Sequence, residues 1–112
     1  VALVDCMTLL VSNVIFALGE SPDSPRAERA VQEEVRTLLQ VCRASAATYI
    51  IVSNEVGLGL VPDTPLGRLY RDLLGQTNQA LALHAQEVYF MVAGLAVEFK
   101  ALAVSRSPQP QW

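Results

Sequence analysis

Two short apolar runs in this sequence end in side chains that could do chemistry. Val1-Ala2-Leu3-Val4 runs into Asp5, and Tyr49-Ile50-Ile51-Val52 runs into Ser53-Asn54-Glu55. In open parallel sheets ligands bind beyond the carboxyl ends of the strands, so these are the first places to look. A carboxylate fixed at the end of a buried strand is how phosphate-loop NTPases hold Mg2+ beside a nucleotide. Asp5 could equally serve as the N-cap of the helix that follows, and the pattern alone gives the two readings equal weight. The Asn54 amide could sense a phosphate, and the Glu55 carboxylate could orient a nucleophile or a metal-bound water. From position alone, a loop network that satisfies the backbone is the favoured reading of that pair. Gly57 and Gly59 form a lone Gly-x-Gly, which is no phosphate cradle by itself, and backbone freedom is its default explanation.

A second group, Arg68, Arg71, Asp72, Gln76, Asn78 and Gln79, shares the polar side of a helical segment. A solvated face is the ordinary reading, with Arg71 and its neighbour Asp72 the candidates for holding a substrate. His84, the single histidine, falls at the end of that helix and receives no role. Cys6 and Cys42 make no Cys-x-x-Cys, so no metal site follows from them, and buried free thiols are expected.

These residues need elements to position them. The run Val1 to Val4 reads as a first strand buried on both faces. Met7 to Leu18 reads as an apolar helix ended by Gly19. Ser24-Pro25 supplies an N-cap hydroxyl followed by proline at the first helical position, and Val31, Val35, Leu38, Leu39 and Cys42 recur at helical spacing after it. Tyr49 to Val52, β-branched and aromatic, is the second buried strand. Glu55 to Pro65 is loop. Thr64-Pro65 repeats the cap-plus-proline start, and Leu66, Leu69, Tyr70, Leu73, Leu74, Thr77 and Leu81 line one face of a helix to about His84. Gly67 and Gly75 weaken that helix, and close packing or a ligand's approach would explain them. Val88 to Val92 is the third strand, Gly94 allows a turn, and Ala96 to Phe99 returns as a short edge strand. Residues 105–112, rich in Pro, Gln and Ser, are expected to be disordered. Strands separated by helices imply parallel pairing with right-handed crossovers, hence an α/β fold: a three-layer αβα sandwich with a mainly parallel sheet, residues 1–104 being part of one domain.

The totals agree with this class. A chain of 112 residues buries about two-thirds of the surface its unfolded form exposes. Its 52% hydrophobic and 17% charged residues and net charge of -3 are those of a globular domain with a large apolar face. Without a Lys/Arg cluster there is little electrostatic reason to hold a nucleic acid or an anionic membrane. No apolar run reaches the roughly 18 residues needed to span a bilayer, and a cytoplasmic location is expected. The chain opens directly in an apolar segment, as though cut inside a larger domain.

Taken together, the segments are more specific than any is alone. Asp5-Cys6-Met7-Thr8-Leu9-Leu10-Val11-Ser12-Asn13 resembles the Asp/Glu-Cys-Leu-Thr-x-x-x-x-Asn segment of the bifunctional adenosylcobinamide kinase and adenosylcobinamide-phosphate guanylyltransferase family. The stretch Ser53 to Pro62 resembles that family's most recognisable signature. Arg71 to Gln79 is similar to its Arg-Asp-x-x-Gly-x-x-Asn-Gln helix, and Val92-Ala93-Gly94 through Lys100 to its closing hairpin.

The resemblance, over about residues 1 to 100, implies a phosphate-loop NTPase fold of the RecA type. It implies two reactions of cobalamin (vitamin B12) nucleotide-loop assembly. One is phosphorylation of adenosylcobinamide from GTP or ATP; the other is transfer of GMP from GTP to adenosylcobinamide phosphate through a guanylyl-histidine. Mg2+ accompanies the nucleotide, and self-association is implied. By resemblance Asp5 matches the acidic residue at the nucleotide, and Asn54 and Glu55 gain weight as nucleotide-binding and catalytic candidates. The family's Gly-rich Lys-Ser loop and its guanylylated histidine would precede residue 1, and His84 does not match that histidine. Residues 1–112 alone are therefore expected to be an inactive part of the enzyme. Two other readings remain open: a non-catalytic oligomerising scaffold, and a different phosphate-loop-type nucleotide-binding protein.

Overall fold

The computed structural model describes residues 1–104, so the expectation of a disordered tail at 105–112 lies outside the described residues. Strand β1 (Ala2–Asp5) leads into helix α1 (Met7–Phe16), then α2 (Ser24–Ala44), strand β2 (Tyr49–Val52), a 3-10 turn at Val56–Leu58 and helix α3 (Pro65–His84). A hairpin of β3 (Tyr89–Val92) and β4 (Leu95–Glu98) and the single turn α4 (Phe99–Leu102) follow.

β1 and β2 pair in parallel with Asp5 opposite Val52, which brings the two expected strand ends to one edge of the structure. The core lies between helices and one face of this pair. Met7, Val11 and Ile15 recur every fourth residue on α1, as do Ala27, Val31, Val35 and Leu39 on α2, and they meet Leu73, Leu74 and Ala80 of α3. Val4 and Ile51 pack against that cluster from the sheet. Burial of both strand faces, expected from their continuous apolar runs, does not occur among the described residues. Leu3 and Ile50 are 64% and 52% exposed, because the three helices cover only the face that carries Val4 and Ile51.

The third strand and its return after Gly94 are present, but the expected parallel pairing of that strand is corrected. β3 pairs antiparallel with β4, from Tyr89 opposite Glu98 to Val92 opposite Leu95, in a sheet separate from β1–β2. The turn sets the antiparallel pairing of β3 with β4. Ala93 and Gly94 both take positive φ, 51° and 76°, the two-residue geometry that matches strand twist and sends the chain straight back. The α/β class and the parallel β1–β2 unit therefore stand, with two two-stranded sheets in place of one three-stranded sheet among the described residues.

Caps fix the helices. Asp23, rather than Ser24, caps α2 by accepting the Arg26 N–H at 2.8 Å, while Ser24 is the first helical residue. Thr64 caps α3 as the sequence suggests, accepting the Gly67 N–H at 3.0 Å. A Cβ on Gly67 would stand 2.8 Å from Pro62 Cβ and 2.9 Å from Thr64 Oγ1, so this glycine is required by close packing at the cap. Nothing lies within 4 Å of a Cβ built on Gly75. Gly75→Ala should accordingly raise stability by about 1 kcal/mol through helix propensity, while Gly67→Ala should lower it. Urea midpoints of the two variants check this contrast.

Glu98 closes the hairpin. Its carboxylate accepts the N–H groups of Val88, Lys100 and Ala101, and the bonds from Val88 and Ala101 above all hold its carboxyl below the usual range. No helix among the described residues is long and apolar enough to cross a membrane.

Candidate functional site

The site is built where β1 and β2 end. Asp5 is the last residue of β1, exposed, and its carboxylate takes part in no hydrogen bond among the described residues. The alternative that it caps α1 does not hold: Cys6 occupies the N-cap position, and no side chain bonds to that helix start. The Asp5–Cys6 peptide is cis. Cys6 and Cys42 are free thiols, partly rather than fully buried.

Beside Asp5, residues 53–55 carry the chain from β2 into the 3-10 turn. The Asn54 Nδ2 donates to Thr8 Oγ1 at 2.9 Å, tying the end of β2 to the first turn of α1, and the Tyr70 hydroxyl donates to the Thr8 carbonyl at 3.3 Å. From α3, Asn78 accepts the Ser53 hydroxyl at 2.5 Å and donates Nδ2 to the Asn54 carbonyl at 2.9 Å. Asn78 is thus tied to the strand end instead of lying on a purely solvated face.

Glu55 caps the 3-10 turn, its Oε1 accepting the Gly57 N–H at 2.9 Å. A Cβ on Gly57 would meet that oxygen at 2.8 Å, and neither Gly57 nor Gly59 has positive φ. Backbone freedom is therefore not what these glycines use, and the atom a Cβ at 57 would meet is the movable end of the Glu55 side chain. Arg71 donates to the Gly57 carbonyl at 2.7 Å, so it holds this loop onto α3. Asp72 lies elsewhere, on the wall of a shallow groove of about 270 Å3 between α2 and α3 that also exposes Ser24, Glu28 and Arg68.

The arrangement brings Asp5, Asn54 and Glu55 to one edge and ties Arg71 to their loop, leaving Asp72 apart. Thr8, Tyr70 and Asn78 were not singled out as site residues from the sequence. Thr8 carried a signal, its place in the Asp5-to-Asn13 motif; Tyr70 carried none beyond its place on the core face of a helix. His84 receives a contact from Arg43 at 2.7 Å and stays at the far end of α3. Partial burial first, then the Arg43 and Lys100 charges, lower its pKa from 6.5.

Chemically, the edge offers one free carboxylate, a side-chain amide with an uncommitted oxygen, and hydroxyls of Thr8 and Ser53. No group of three or more His, Cys, Asp or Glu that could cage a metal occurs among the described residues. One hard oxygen donor suits Mg2+, which binds through one or two carboxylates and completes its shell with waters and substrate phosphates. The donor set therefore fits a metal that arrives with a nucleotide.

Comparison with known proteins bears on the family. The family model described as cobinamide kinase / cobinamide phosphate guanyltransferase matches residues 1–99. The bifunctional adenosylcobalamin biosynthesis protein CobU of Salmonella typhimurium is 41% identical over 103 residues, covering 88% of this chain and 57% of that protein. The protein of the same name in Escherichia coli is 37% identical over 105 residues, covering 89% and 58%. CobP of Pseudomonas aeruginosa, also a bifunctional adenosylcobalamin biosynthesis protein, is 39% identical over 98 residues, covering 88% and 52%. The chain spans a little over half the length of these curated relatives.

Proposed function

The chain belongs to the cobinamide kinase / cobinamide phosphate guanyltransferase family, and from that premise we propose that it supplies the metal-side and strand-end portion of a nucleotide site. In the complete protein this site would phosphorylate adenosylcobinamide from GTP or ATP. It would then transfer GMP from GTP to the resulting phosphate, releasing pyrophosphate. The observation that carries the reading is the exposed Asp5 carboxylate, without a hydrogen-bond partner among the described residues, at the end of β1 and in register with Val52, two residues before Asn54.

Asp5 would face the phosphates and hold Mg2+, which when bound offsets their negative charge. Asn54 keeps its Oδ1 and one N–H uncommitted after bonding Thr8, and these would contact the nucleotide. Glu55 spends Oε1 on the turn and has Oε2 left for orienting a water or a hydroxyl. Arg71, held against the same loop, would meet a substrate anion, and Asp72 would serve substrate from the neighbouring groove. The phosphate loop and the guanylylated histidine would come from the portion that the relatives have beyond this match. That portion would complete a three-layer sandwich of the phosphate-loop NTPase type. Self-association through α1, where Leu9 and Phe16 are 60% and 65% exposed, and a cytoplasmic location belong to the same reading.

The test is product formation. The complete protein, given labelled GTP, Mg2+ and adenosylcobinamide phosphate, should yield adenosyl-GDP-cobinamide and pyrophosphate. Absence of both products with folded protein would refute the proposal.

A further inference from the structure

Residues 53–55 lie between the last ladder position of β2 and the start of the 3-10 turn. None of them joins a backbone–backbone hydrogen bond outside the regular elements among the described residues. Side chains hold this segment instead. Thr8 fixes the Asn54 side chain, while the Asn54 main chain and the Ser53 hydroxyl are both held by one residue of α3, Asn78. The orientation of that amide is determined by its partners. The Asn54 carbonyl can only accept, so Nδ2 must face it, which leaves Oδ1 for the Ser53 hydroxyl. An amide is the one uncharged side chain of this length that offers a donor and an acceptor side by side.

We propose that Asn78 is a positioning residue: it clamps the Ser53–Asn54 turn so that the Asn54 amide and the Glu55 carboxylate stand at the strand end where the nucleotide reacts. The inference rests on the nucleotide site proposed above and adds a residue of α3 that touches neither metal nor phosphate. Releasing the clamp lets the turn relax by a fraction of a residue length, and displacements of about 1 Å at a reacting centre cost up to roughly 10²-fold in rate. Ground-state nucleotide binding, which depends on Asp5 and on the phosphate contacts, should change much less.

The test is a mutant cycle on the complete protein, read as kcat and KM for GTP in GMP transfer, with thermal unfolding as a check on folding. Asn78→Ala should lower kcat by about tenfold or more with KM changed less than about threefold. Added to Asn54→Ala, it should cost clearly less than it does in the wild-type background, because part of its effect runs through the Asn54 amide and only the part that runs through Glu55 is left. Asn78→Asp keeps the acceptor for Ser53 but loses the donor to the Asn54 carbonyl, so it should be slow as well; it also decides the question if the alanine variant does not fold. Wild-type kcat in both Asn78 variants, with Asn54→Ala slow, overturns the clamp and leaves the nucleotide site standing. Losses that multiply in the double variant, or that appear in KM alone, also overturn it. Wild-type turnover in Asn54→Ala overturns the nucleotide role of the turn, and with it anything for Asn78 to position.

Discussion

Asp5→Asn in the complete protein should lower GMP transfer by roughly 10²–10³-fold, the scale on which one preorganised electrostatic group at a reacting centre acts. The substitution is nearly isosteric, and it breaks no internal contact, since the Asp5 carboxylate has no hydrogen-bond partner among the described residues and is exposed. A fall in activity can therefore be assigned to the lost charge instead of to misfolding. The charge would matter because, in the site proposed above, Mg2+ would have few protein ligands: with one carboxylate gone, its remaining donors would be waters and phosphates. GTP affinity measured by calorimetry should fall in the presence of Mg2+ and change little in its absence. Equal rates and equal affinities in wild type and variant would return Asp5 to the ordinary surface.

The largest stability effect should come from Leu74→Ala. Leu74 is fully buried where α3 meets α1 and α2, in the cluster that also holds Met7, Val11, Val31 and Val35. Removing three buried carbons forfeits their transfer free energy and leaves a cavity that rigid helices only partly fill, a loss of about 2–5 kcal/mol. Against the 5–15 kcal/mol that holds a typical domain together, that is enough to leave a marginal protein partly unfolded. Leu60→Ala is the control. Leu60 is 95% exposed, and its truncation should stay within about 0.5 kcal/mol of wild type. Denaturant midpoints at a constant slope decide between them, and comparable losses in the two variants would mean that the core is placed wrongly.

The elements were legible in the sequence where one local signal sufficed. Helical spacing placed Val31, Val35 and Leu39 on the buried side of α2, and Thr64-Pro65 marked the start of α3 within a residue. Strand pairing was not, because an apolar run states that it will be covered and not by which neighbour. Tyr89 to Val92 looks much like Tyr49 to Val52; the turn at Gly94 and the returning strand were legible and occur as β4, but nothing in the run said that β3 would stand apart from β1–β2. The same limit applies to the site. Asp5, Asn54 and Glu55, the residues proposed for the site, were legible as candidates because they end strands. Asn78 was read as part of a solvated face, because its partners come from a turn 24 residues earlier and helical periodicity carries no information about such contacts. Asp23 took the cap expected of Ser24 by being one residue better placed for the Arg26 N–H.

In the proposed site the nucleotide would sit at the ends of β1 and β2. Titrating Mg2+ and GTP into the isotopically labelled complete protein while following backbone amide resonances tests it directly. The shifts should concentrate at residues 5–8 and 53–57 and be lost in Asp5→Asn. Shifts confined to the groove between α2 and α3, around Ser24, Glu28 and Arg68, with residues 5–8 and 53–57 unmoved, would contradict it.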